Sequence, residues 1–395
     1  YLSLLKLCTY QKAQPQAKRL YTHLSRHNLH ISPFLGENLV LSLARCGALP
    51  CALRLFGQLP HRTVFSWTGL ISGFVENGRG LDAIRLHRHM IRDGHNPDRY
   101  TFSTLFKAIG SIRDVKAGES MHSLANSRGF GADLFVVTSI LSMYGKCGDI
   151  RQAEDLFSTT LCRDHDVVCW NAMLTAYVDN SQGEKALLLY RQMQEIGMYP
   201  PTHQTIVVAL QACGMLVSDH KESSMILEIG EGLHSFARKN HILSHVFVHT
   251  TLVSMYGRCG DTNSAQKLFS NFDEKDVVIW NAMITTYAQN RVAKDALLLY
   301  AQMHQEALLP NRVTHVGVLQ ACATDALSVQ GKQVHACIIK NVNFRSELVV
   351  ENVLISMYGN CGQIEYAQTI FEQMNDKDVV SWSSMIGACS RHGHS

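Results

Sequence analysis

The sequence predicts an all-α fold, an α-solenoid of stacked helix-turn-helix repeats, because three short stretches keep recurring. DVVCWNAM begins at Asp166 and returns as DVVIWNAM, DVVSWSSM and, more faintly, TVFSWTGL. SMYGKCG begins at Ser142 and returns as SMYGRCG and SMYGNCG, with SLARCG as a shortened version. LQAC occurs at Leu210 and Leu319. The stretches recur about every 102 residues, which indicates three alternating sub-repeats of about 34 residues each.

Each sub-repeat has the pattern of two amphipathic helices. In the copy at 276–310, two apolar stripes have helical spacing: Trp280, Met283, Ile284 and Tyr287, then Ala293, Ala296, Leu297 and Tyr300. In the SMYGNCG copy, Gly359 and Gly362 are expected to end a helix. Strand-like alternation is absent. Since one helical pair cannot bury both of its faces, successive pairs are expected to stack.

Composition sets limits on the class of protein. Apolar residues make up 46% of the 395 positions, enough for a large core, and the formal net charge is only +3. That charge neither requires nor excludes RNA. No apolar run is long enough to span a bilayer. The 12 cysteines, without a secretory context, are expected to be reduced. Because the chain opens at Tyr1 rather than at a Met, we expect a fragment of a longer protein.

The alternating repeats resemble plant pentatricopeptide-repeat (PPR) proteins of the PLS class, which alternate two longer motifs and one short motif. The resemblance implies one continuous solenoid over 1–395, a right-handed superhelix of about 22 to 23 helices. The expected motifs are short (S-type) at 32–62, 133–165, 245–275 and 347–377; P-type at 63–97, 166–201, 276–310 and, in part, 378–395; and L-type at 98–132, 202–244, 311–346 and, truncated, 1–31.

Two motifs depart from the pattern. The L-type motif that begins at Thr202 carries about eight extra residues, which we interpret as an enlarged loop between its helices. The motif at 378–395 has a first helix and no second helix, so the apolar face formed by Trp382, Met385 and Ile386 is expected to be uncovered. The natural chain is therefore expected to continue.

The resemblance implies that the protein binds single-stranded RNA, one base for each helical pair. Two side chains are expected to face each base: the residue directly after the recurrent Trp, or its equivalent, and the last residue of the same unit. We call these two residues a recognition pair, with the first position named first. The implied pairs are Asn38 with Thr63, Thr68 with Asp98, Ser103 with Asp133, Thr138 with Asp166, Asn171 with Thr202, Thr250 with Asp276, Asn281 with Asn311, and Asn352 with Asp378.

Hydrogen-bonding chemistry assigns bases to these pairs. A carboxylate only accepts, which suits the ring N–H of uracil and guanine, whereas an amide or hydroxyl also suits the bare ring nitrogen of cytosine. A small Thr at the first position leaves room for a purine, and Asn favours a pyrimidine. Read 5′ to 3′, the predicted tract is C-G-G-G-C-N-G-Y-N-U. Its two unassigned bases face Val207 with His245 and Val316 with Glu347.

The aliphatic residue three places before the Trp, such as Val167 or Val277, resembles the family's base-sandwiching position, although packing at the helix start explains it equally well.

Other constellations are weaker. The recurring cysteines Cys46, Cys147, Cys259 and Cys361 are each three helical pairs apart, too far to share a zinc ion, and are interpreted as core thiols. The histidines His122, His234 and His335 recur with the same spacing and are interpreted in the same way. His304 and Glu306 form the H-x-E of zinc deaminases, but no P-C-x-x-C follows. No metal, cofactor or catalytic residue is predicted.

The predicted function is sequence-specific RNA binding in a mitochondrion or chloroplast, where the family resemblance implies a specificity factor for RNA editing or processing. The expected partners are single-stranded RNA and editing or processing proteins that act in trans, with no membrane and no small-molecule substrate. The alternative is a tetratricopeptide-like scaffold that binds peptides. The missing W-x-x-L-G-x-x-Y pattern and the alternating motif lengths argue against that alternative.

Overall fold

The structure is a computed structural model that describes residues 2–26, 32–161, 166–217, 220–272, 275–340 and 347–392. Within these ranges every regular element is helical: 23 α-helices and one short 3₁₀ helix, Ile242–Ser244. The predicted all-α fold is confirmed. The expected motif ends at residues 31, 165, 346 and 395 lie outside the described residues.

The chain divides into two compact units, Tyr1–Pro200 and Pro201–Ser395. The helices of unit 1 are α1 (Leu2–Tyr10), α2 (Gln14–Arg26), α3 (Pro33–Arg45), α4 (Leu49–Gln58), α5 (Val64–Glu76), α6 (Gly80–Arg92), α7 (Arg99–Ile112), α8 (Val115–Ser127), α9 (Leu134–Cys147), α10 (Ile150–Leu161), α11 (Val167–Asp179) and α12 (Gly183–Ile196). Those of unit 2 are α13 (His203–Leu216), α14 (His220–Lys239), α15 (Val246–Arg258), α16 (Thr262–Ser270), α17 (Val277–Gln289), α18 (Ala293–Gln305), α19 (Arg312–Thr324), α20 (Ser328–Lys340), α21 (Leu348–Asn360), α22 (Ile364–Gln373) and α23 (Val379–Arg391).

Both units consist of helical hairpins arranged in two layers. Within each unit every odd-numbered helix packs against the next odd-numbered helix, and every even-numbered helix packs against its odd-numbered neighbours along the chain. The odd-numbered helices therefore form one continuous layer in each unit. All the residues of the predicted recognition pairs lie on these helices or at their N-terminal caps.

The recurrent tryptophans anchor the odd-numbered helices. Trp67, Trp170 and Trp280 are at most 3% exposed. Each meets the phenylalanine of the preceding even-numbered helix edge to face, with ring centroids 4.6 Å apart for Phe56 and Trp67 and 5.0 Å apart for Phe269 and Trp280. This contact fills the junction between successive hairpins, which explains why the same eight residues recur.

The glycines of the SMYG stretches allow the odd-numbered helices to approach closely. Gly362 follows α21 with a φ of +72°, as predicted for a residue that ends a helix. Gly359, expected to share that role, lies inside α21 instead. A Cβ atom at Gly359 would stand 2.5 Å from Cβ of Ala388, and one at Gly145 would stand 2.6 Å from Cβ of Ala176. These glycines are therefore packing residues.

The extra residues of the motif that begins at Thr202 lengthen a helix, and their interpretation as an enlarged loop is wrong. Helix α14 has 20 residues, whereas the corresponding helices α8 and α20 have 13 each. The stretch MILEIG continues the apolar periodicity, so the insertion propagates the helix rather than interrupting it. Residues 218–219 lie outside the described residues.

Helix α23 has the uncovered face that the sequence predicts, except at one residue. Trp382 is 54% exposed and Ile386 is 64% exposed, whereas Met385 is buried. The ring of Trp382 still contacts Phe371, with centroids 4.8 Å apart. Among the helices that the structure describes, none combines the length and apolar character needed to cross a membrane.

Candidate nucleic-acid interface

The second positions of the recognition pairs are the N-caps of the odd-numbered helices. Each side chain accepts a hydrogen bond from a backbone N–H in the first turn of its helix. The capping residues are Thr63, Asp98, Asp133, Asp166, Thr202, Asp276, Asn311 and Asp378. Asp, Asn, Ser and Thr are the preferred N-cap residues because their side-chain oxygens satisfy these amides. Capping by itself therefore explains the small polar residue at this place, which the sequence argument had attributed to base recognition.

Two asparagines at the first position contact the cap of the next odd-numbered helix directly. The Asn281 amide donates to Oδ1 of Asn311 at 3.1 Å, and Oδ1 of Asn281 accepts from Thr314 Oγ1 at 2.6 Å. The Asn352 amide donates to Oδ1 of Asp378 at 3.1 Å. Asn281 and Asn352 are 7% and 6% exposed. The structure therefore brings together both members of these two pairs.

The bond from Asn352 affects the electrostatics of Asp378. The pKa of the Asp378 carboxyl is lowered, chiefly by hydrogen bonds from the backbone and side chain of Ser381 and further by the amide of Asn352. At neutral pH this group is consequently a carboxylate that only accepts hydrogen bonds.

Thr68 reaches its partner through an intermediate residue. Its Oγ1 lies 2.7 Å from Oγ1 of Thr101, which in turn donates to Oδ1 of Asp98 at 2.8 Å. Since the Thr101 hydrogen goes to Asp98, Thr68 is the donor in the first bond. The pair is connected by two hydrogen bonds in series.

The threonines of two further pairs do not bond their partners. Thr138 donates to the Leu134 carbonyl at 2.7 Å and lies 2.9 Å from Sγ of Cys169. The Thr250 hydroxyl is buried and has no hydrogen-bond partner among the described residues. Asp166 and Asp276 each accept two backbone amides through Oδ1. In these two pairs no hydrogen bond joins the two members, and we call such a pair open.

The pairs that begin in the motifs predicted to be L-type are the least regular. Ser103 accepts from Ser139 Oγ at 2.8 Å, while Oδ2 of Asp133 lies 3.6 Å from the Arg99 guanidinium. His245 and Glu347 provide no side-chain cap to α15 and α21. The two pairs to which the sequence assigned no base are thus also the two that lack a capping side chain.

Glu37, rather than Asn38, occupies the first position of the first pair. Helix α3 has its N-cap at Ser32, so Glu37 stands five residues after the cap, as Thr138 stands five residues after Asp133. Glu37 accepts a short hydrogen bond from Thr63, whereas the Asn38 amide turns back to the Phe34 carbonyl at 2.8 Å. The prediction for Asn38 is corrected accordingly. The SLARCG stretch is one residue shorter than SMYGKCG, and the distance in sequence from Glu37 to Cys46 equals that from Thr138 to Cys147.

Asn171 and Thr202 belong to different units. Asn171 lies on α11 and is 4% exposed, and Thr202 caps α13 through a capping box with Thr205.

A row of exposed apolar side chains accompanies the caps. The second residue after the cap is apolar in ten of the eleven helices from α3 to α23 that have odd numbers, and each of these side chains is 43% to 73% exposed. They are Phe34, Phe65, Tyr100, Phe135, Val168, Phe247, Val278, Val313, Val349 and Val380. The sequence analysis had chosen Val167 and Val277, which are half-buried. Counting from the cap rather than from the Trp would have found the exposed residues.

The recurring histidines and cysteines have local partners. The Nδ1 atoms of His122, His234 and His335 lie 2.9 to 3.0 Å from the hydroxyls of Tyr144, Tyr256 and Tyr358 respectively, and burial lowers the pKa of all three histidines. Three of the cysteines contact the methionine one turn earlier, at 3.8 to 3.9 Å. Within the described ranges, no three metal-ligating side chains are grouped as a metal site would require.

Known proteins resemble this chain in sequence and in fold. The profile of the PPR repeat family matches residues 62–110 and 275–324, and the PPR repeat profile matches 135–159, 168–198, 247–277, 352–379 and 380–395. Two chloroplastic pentatricopeptide repeat-containing proteins of Arabidopsis thaliana are 29% identical over 99% of this chain and 31% identical over 98% of it. A mitochondrial one is 30% identical over 98%.

The chain spans 47%, 43% and 55% of those three relatives. Among solved structures, the pentatricopeptide repeat protein PPR10 in complex with an 18-nucleotide psaJ RNA element covers 94% of the chain with a TM-score of 0.68 at 17% identity, and this chain covers 55% of it. That likeness shows the solenoid fold. Together, the matching profiles and the shared fold show that the chain belongs to the pentatricopeptide repeat family.

Proposed function

We propose that this chain binds single-stranded RNA in a sequence-specific manner, one base for each odd-numbered helix, through the recognition pairs. The observation that carries the proposal is the contact between the first position and the next cap, as in Asn352 with Asp378 at 3.1 Å. In Asn281 with Asn311 and in Asn352 with Asp378, this contact places donors and acceptors of both side chains near an exposed apolar side chain, Val313 or Val380. Such a combination suits the polar edge and the flat face of a nucleobase.

The ligand class also has support from a solved relative, since PPR10 is described in complex with an 18-nucleotide RNA. The peptide-scaffold alternative is less favoured because the matching profiles are pentatricopeptide rather than tetratricopeptide. Because Glu37 replaces Asn38 in the first pair, no base is assigned to the first nucleotide. The proposed tract therefore becomes N-G-G-G-C-N-G-Y-N-U.

We further assign the chain to the PLS class and place it in a mitochondrion or chloroplast, in line with the names of its relatives. There it acts as a specificity factor that positions an editing or processing activity supplied in trans. The alternating motifs support the class, and the family resemblance supports the role proposed for the whole protein. The role proposed for the described residues is RNA binding, and no catalytic residue is proposed among them.

Selection of tight binders from random RNA tests the proposal. The enriched sequences are expected to contain G facing Thr250 with Asp276 and U facing Asn352 with Asp378. Enrichment without a shared sequence would contradict base reading, and failure to retain any RNA at low salt would contradict RNA binding. A peptide scaffold would show no change of RNA preference when these four residues are substituted.

A further inference from the structure

Helix α6 carries a row of arginines on the side opposite its buried face. The buried face packs on α5 and α7 and consists of Gly80, Ala83, His87 and Met90. At about 100° per residue, the opposite side consists of Leu81, Arg85, Arg88 and Arg92. All four side chains are exposed, and the row extends over about three turns and 16 Å of helix. We call these four residues the arginine stripe.

The charge of the arginine stripe is only partly neutralised within the protein. Asp82 pairs with Arg85 at 3.1 Å and with the arginine at the helix N-cap at 2.6 Å. Asp93, which follows α6, pairs at 2.9 Å with an arginine that follows α4. Arg88 and Arg92 have no ion-pair partner among the residues that the structure describes. Like charges four residues apart lower the stability of a helix, so folding does not explain the stripe.

Two helices at the same place in later motifs serve as natural controls. Aligned on their buried faces, the four places hold Glu184, Leu188, Arg191 and Glu195 in α12, and Lys294, Leu298, Ala301 and Gln305 in α18. In α12 the places of Arg88 and Arg92 form an ion pair at 2.9 Å. The net charge of the four places is +3 in α6, −1 in α12 and +1 in α18. The repeat therefore does not require cations at this surface.

The first quarter of the chain shares this excess of positive charge. Residues 1–98 contain 12 Lys and Arg and five Asp and Glu, a net charge of +7, whereas residues 99–395 contain 24 and 28, a net charge of −4. Lys18 and Arg19 on α2 and Arg54 on α4 are exposed as well. An excess of one sign of charge over part of a surface attracts ligands of the opposite sign. The segment that contains α6 therefore favours an anionic partner.

We propose that the arginine stripe is a docking surface for a partner protein, which it binds through an acidic amphipathic helix. Three carboxylates that lie three and four residues apart on such a helix match the spacing of the three arginines, and an apolar residue one turn away covers Leu81. Arginine suits this role because its guanidinium can donate two parallel hydrogen bonds to one carboxylate. The inference does not depend on the RNA-binding function proposed above.

Two observations favour a protein over RNA as the partner at this surface. All the recognition pairs lie on odd-numbered helices or at their caps, whereas the stripe lies on an even-numbered helix, on the side away from α5 and α7. The stripe also begins with Leu81, which is 59% exposed. An apolar side chain of a partner protein can cover this leucine, whereas a phosphate gains nothing from it.

A synthetic acidic helix tests the proposal. The matched peptide, of about 16 residues, carries Leu, Glu, Glu and Glu on one face at successive spacings of four, three and four residues. The control peptide has the same composition with its glutamates distributed around the helix. Fluorescence anisotropy at low salt is expected to show that the wild-type chain binds the matched peptide at least about tenfold more tightly than the control. Added salt should weaken this binding.

Variants that exchange the surfaces of α6 and α12 locate the binding. Arg85→Leu with Arg92→Glu gives α6 the charges of α12 and is expected to weaken binding of the matched peptide at least about tenfold. Because this change replaces a repulsion by an ion pair, the variant should melt at the wild-type temperature or above it. Glu184→Leu with Leu188→Arg and Glu195→Arg gives α12 the stripe and is expected to add a second binding site for the matched peptide.

Equal affinities for the two peptides, or unchanged affinity of the α6 variant, would overturn the docking surface. If the α6 variant instead loses affinity for the RNA tract, the stripe binds phosphates. If it abolishes a self-association of the wild-type chain, measured by analytical ultracentrifugation, the partner is a second copy. Either result overturns the acidic helix as the occupant. A wild-type chain that binds the matched peptide and no RNA would refute the proposed function and leave this inference intact.

Discussion

Two recognition pairs of unit 2, Thr250 with Asp276 and Asn352 with Asp378, differ only in the first residue. The longer Asn352 amide reaches Oδ1 of Asp378 at 3.1 Å and closes the pair. The Thr250 hydroxyl does not reach Asp276; it is buried and has no hydrogen-bond partner among the described residues. Asp276 therefore makes only its capping hydrogen bonds. One side-chain length therefore decides whether space and hydrogen-bonding capacity remain between two helices, which is the physical basis for expecting a purine at Thr250 and a pyrimidine at Asn352.

The two pairs also depend on differently anchored helices, and removing the anchors should give the largest effect. Trp280 of α17 is fully buried, whereas Trp382 of α23 is 54% exposed. We expect Trp280→Ala to cost about 3 to 5 kcal/mol of unfolding free energy because it leaves a large cavity. Trp382→Ala should cost less than about 1 kcal/mol. Urea denaturation of both variants measures the difference, and similar midpoints would contradict the packing assigned to α23.

Closing the open pair should change its base preference. Thr250→Asn gives unit 2 a second pair of the Asn352 and Asp378 type. The preferred base at nucleotide 7 should move from G to U, by about tenfold or more in relative affinity. Affinity for the newly matched tract should equal that of the wild type for its own. Binding measurements on the four RNAs that differ at nucleotide 7 check this. A shift in affinity without a shift in preference would mean that the pair is structural.

The shared caps allow capping and base reading to be separated. Asp276→Ala removes the acceptor for the amides of Val278 and Ile279 and should cost about 1 kcal/mol of stability. Asp276→Asn keeps an acceptor oxygen and should cost much less. It should nevertheless move the preference at nucleotide 7 from G toward A, the purine whose pairing-edge ring nitrogen is bare. Thermal melts and binding assays on the same two variants measure both properties. If Asp276→Asn leaves the preference at G, Asp276 only caps α17.

The smallest expected effect is a change in the pKa of Asp378. Hydrogen bonds from Ser381 and then from Asn352 lower this pKa, so Asn352→Ala should raise it toward the ordinary value. A lowered carboxyl pKa stabilises the fold above the unfolded pKa of about 3.9, and this contribution is lost as the pH falls through the folded pKa. The variant should therefore lose part of this contribution at neutral pH. NMR titration of the Asp378 carboxyl in both proteins checks the direction, and an unchanged titration would show that the bond is not formed in solution.

The sequence predicted the helices because the apolar stripes, glycines and tryptophans all report on local geometry or on packing between neighbours. The sequence-based prediction was wrong where one sequence pattern is compatible with two structures. The residues inserted near Met225 were assigned to a loop by comparison of lengths, yet they carry a helical periodicity that extends α14. Asn38 was chosen in a motif whose SLARCG stretch is one residue shorter than SMYGKCG, while the helix cap at Ser32 sets the spacing that selects Glu37.

The recognition pairs themselves were located by resemblance, and the contacts within them were beyond the sequence. The sequence shows that Asn352 is longer than Thr250, but it does not show that Asn352 bonds its partner and that Thr250 does not. That difference depends on side-chain reach across two packed helices. The exposed row was missed for a related reason, since Val167 and Val168 are identical in type and differ only in which way the first turn directs them.

In the proposed function the capping residues both cap a helix and read a base, and this combination bears on how proteins of this kind change their targets. A residue that must cap the next helix is restricted to Asp, Asn, Ser, Thr and a few others. These residue types exchange with little loss of stability, yet they differ in whether they donate or only accept hydrogen bonds. A lineage can therefore pass from one ligand to another by single substitutions that leave folding intact. Only a few residue types can occupy each capping position, and a chain that carries any of them at that position still folds.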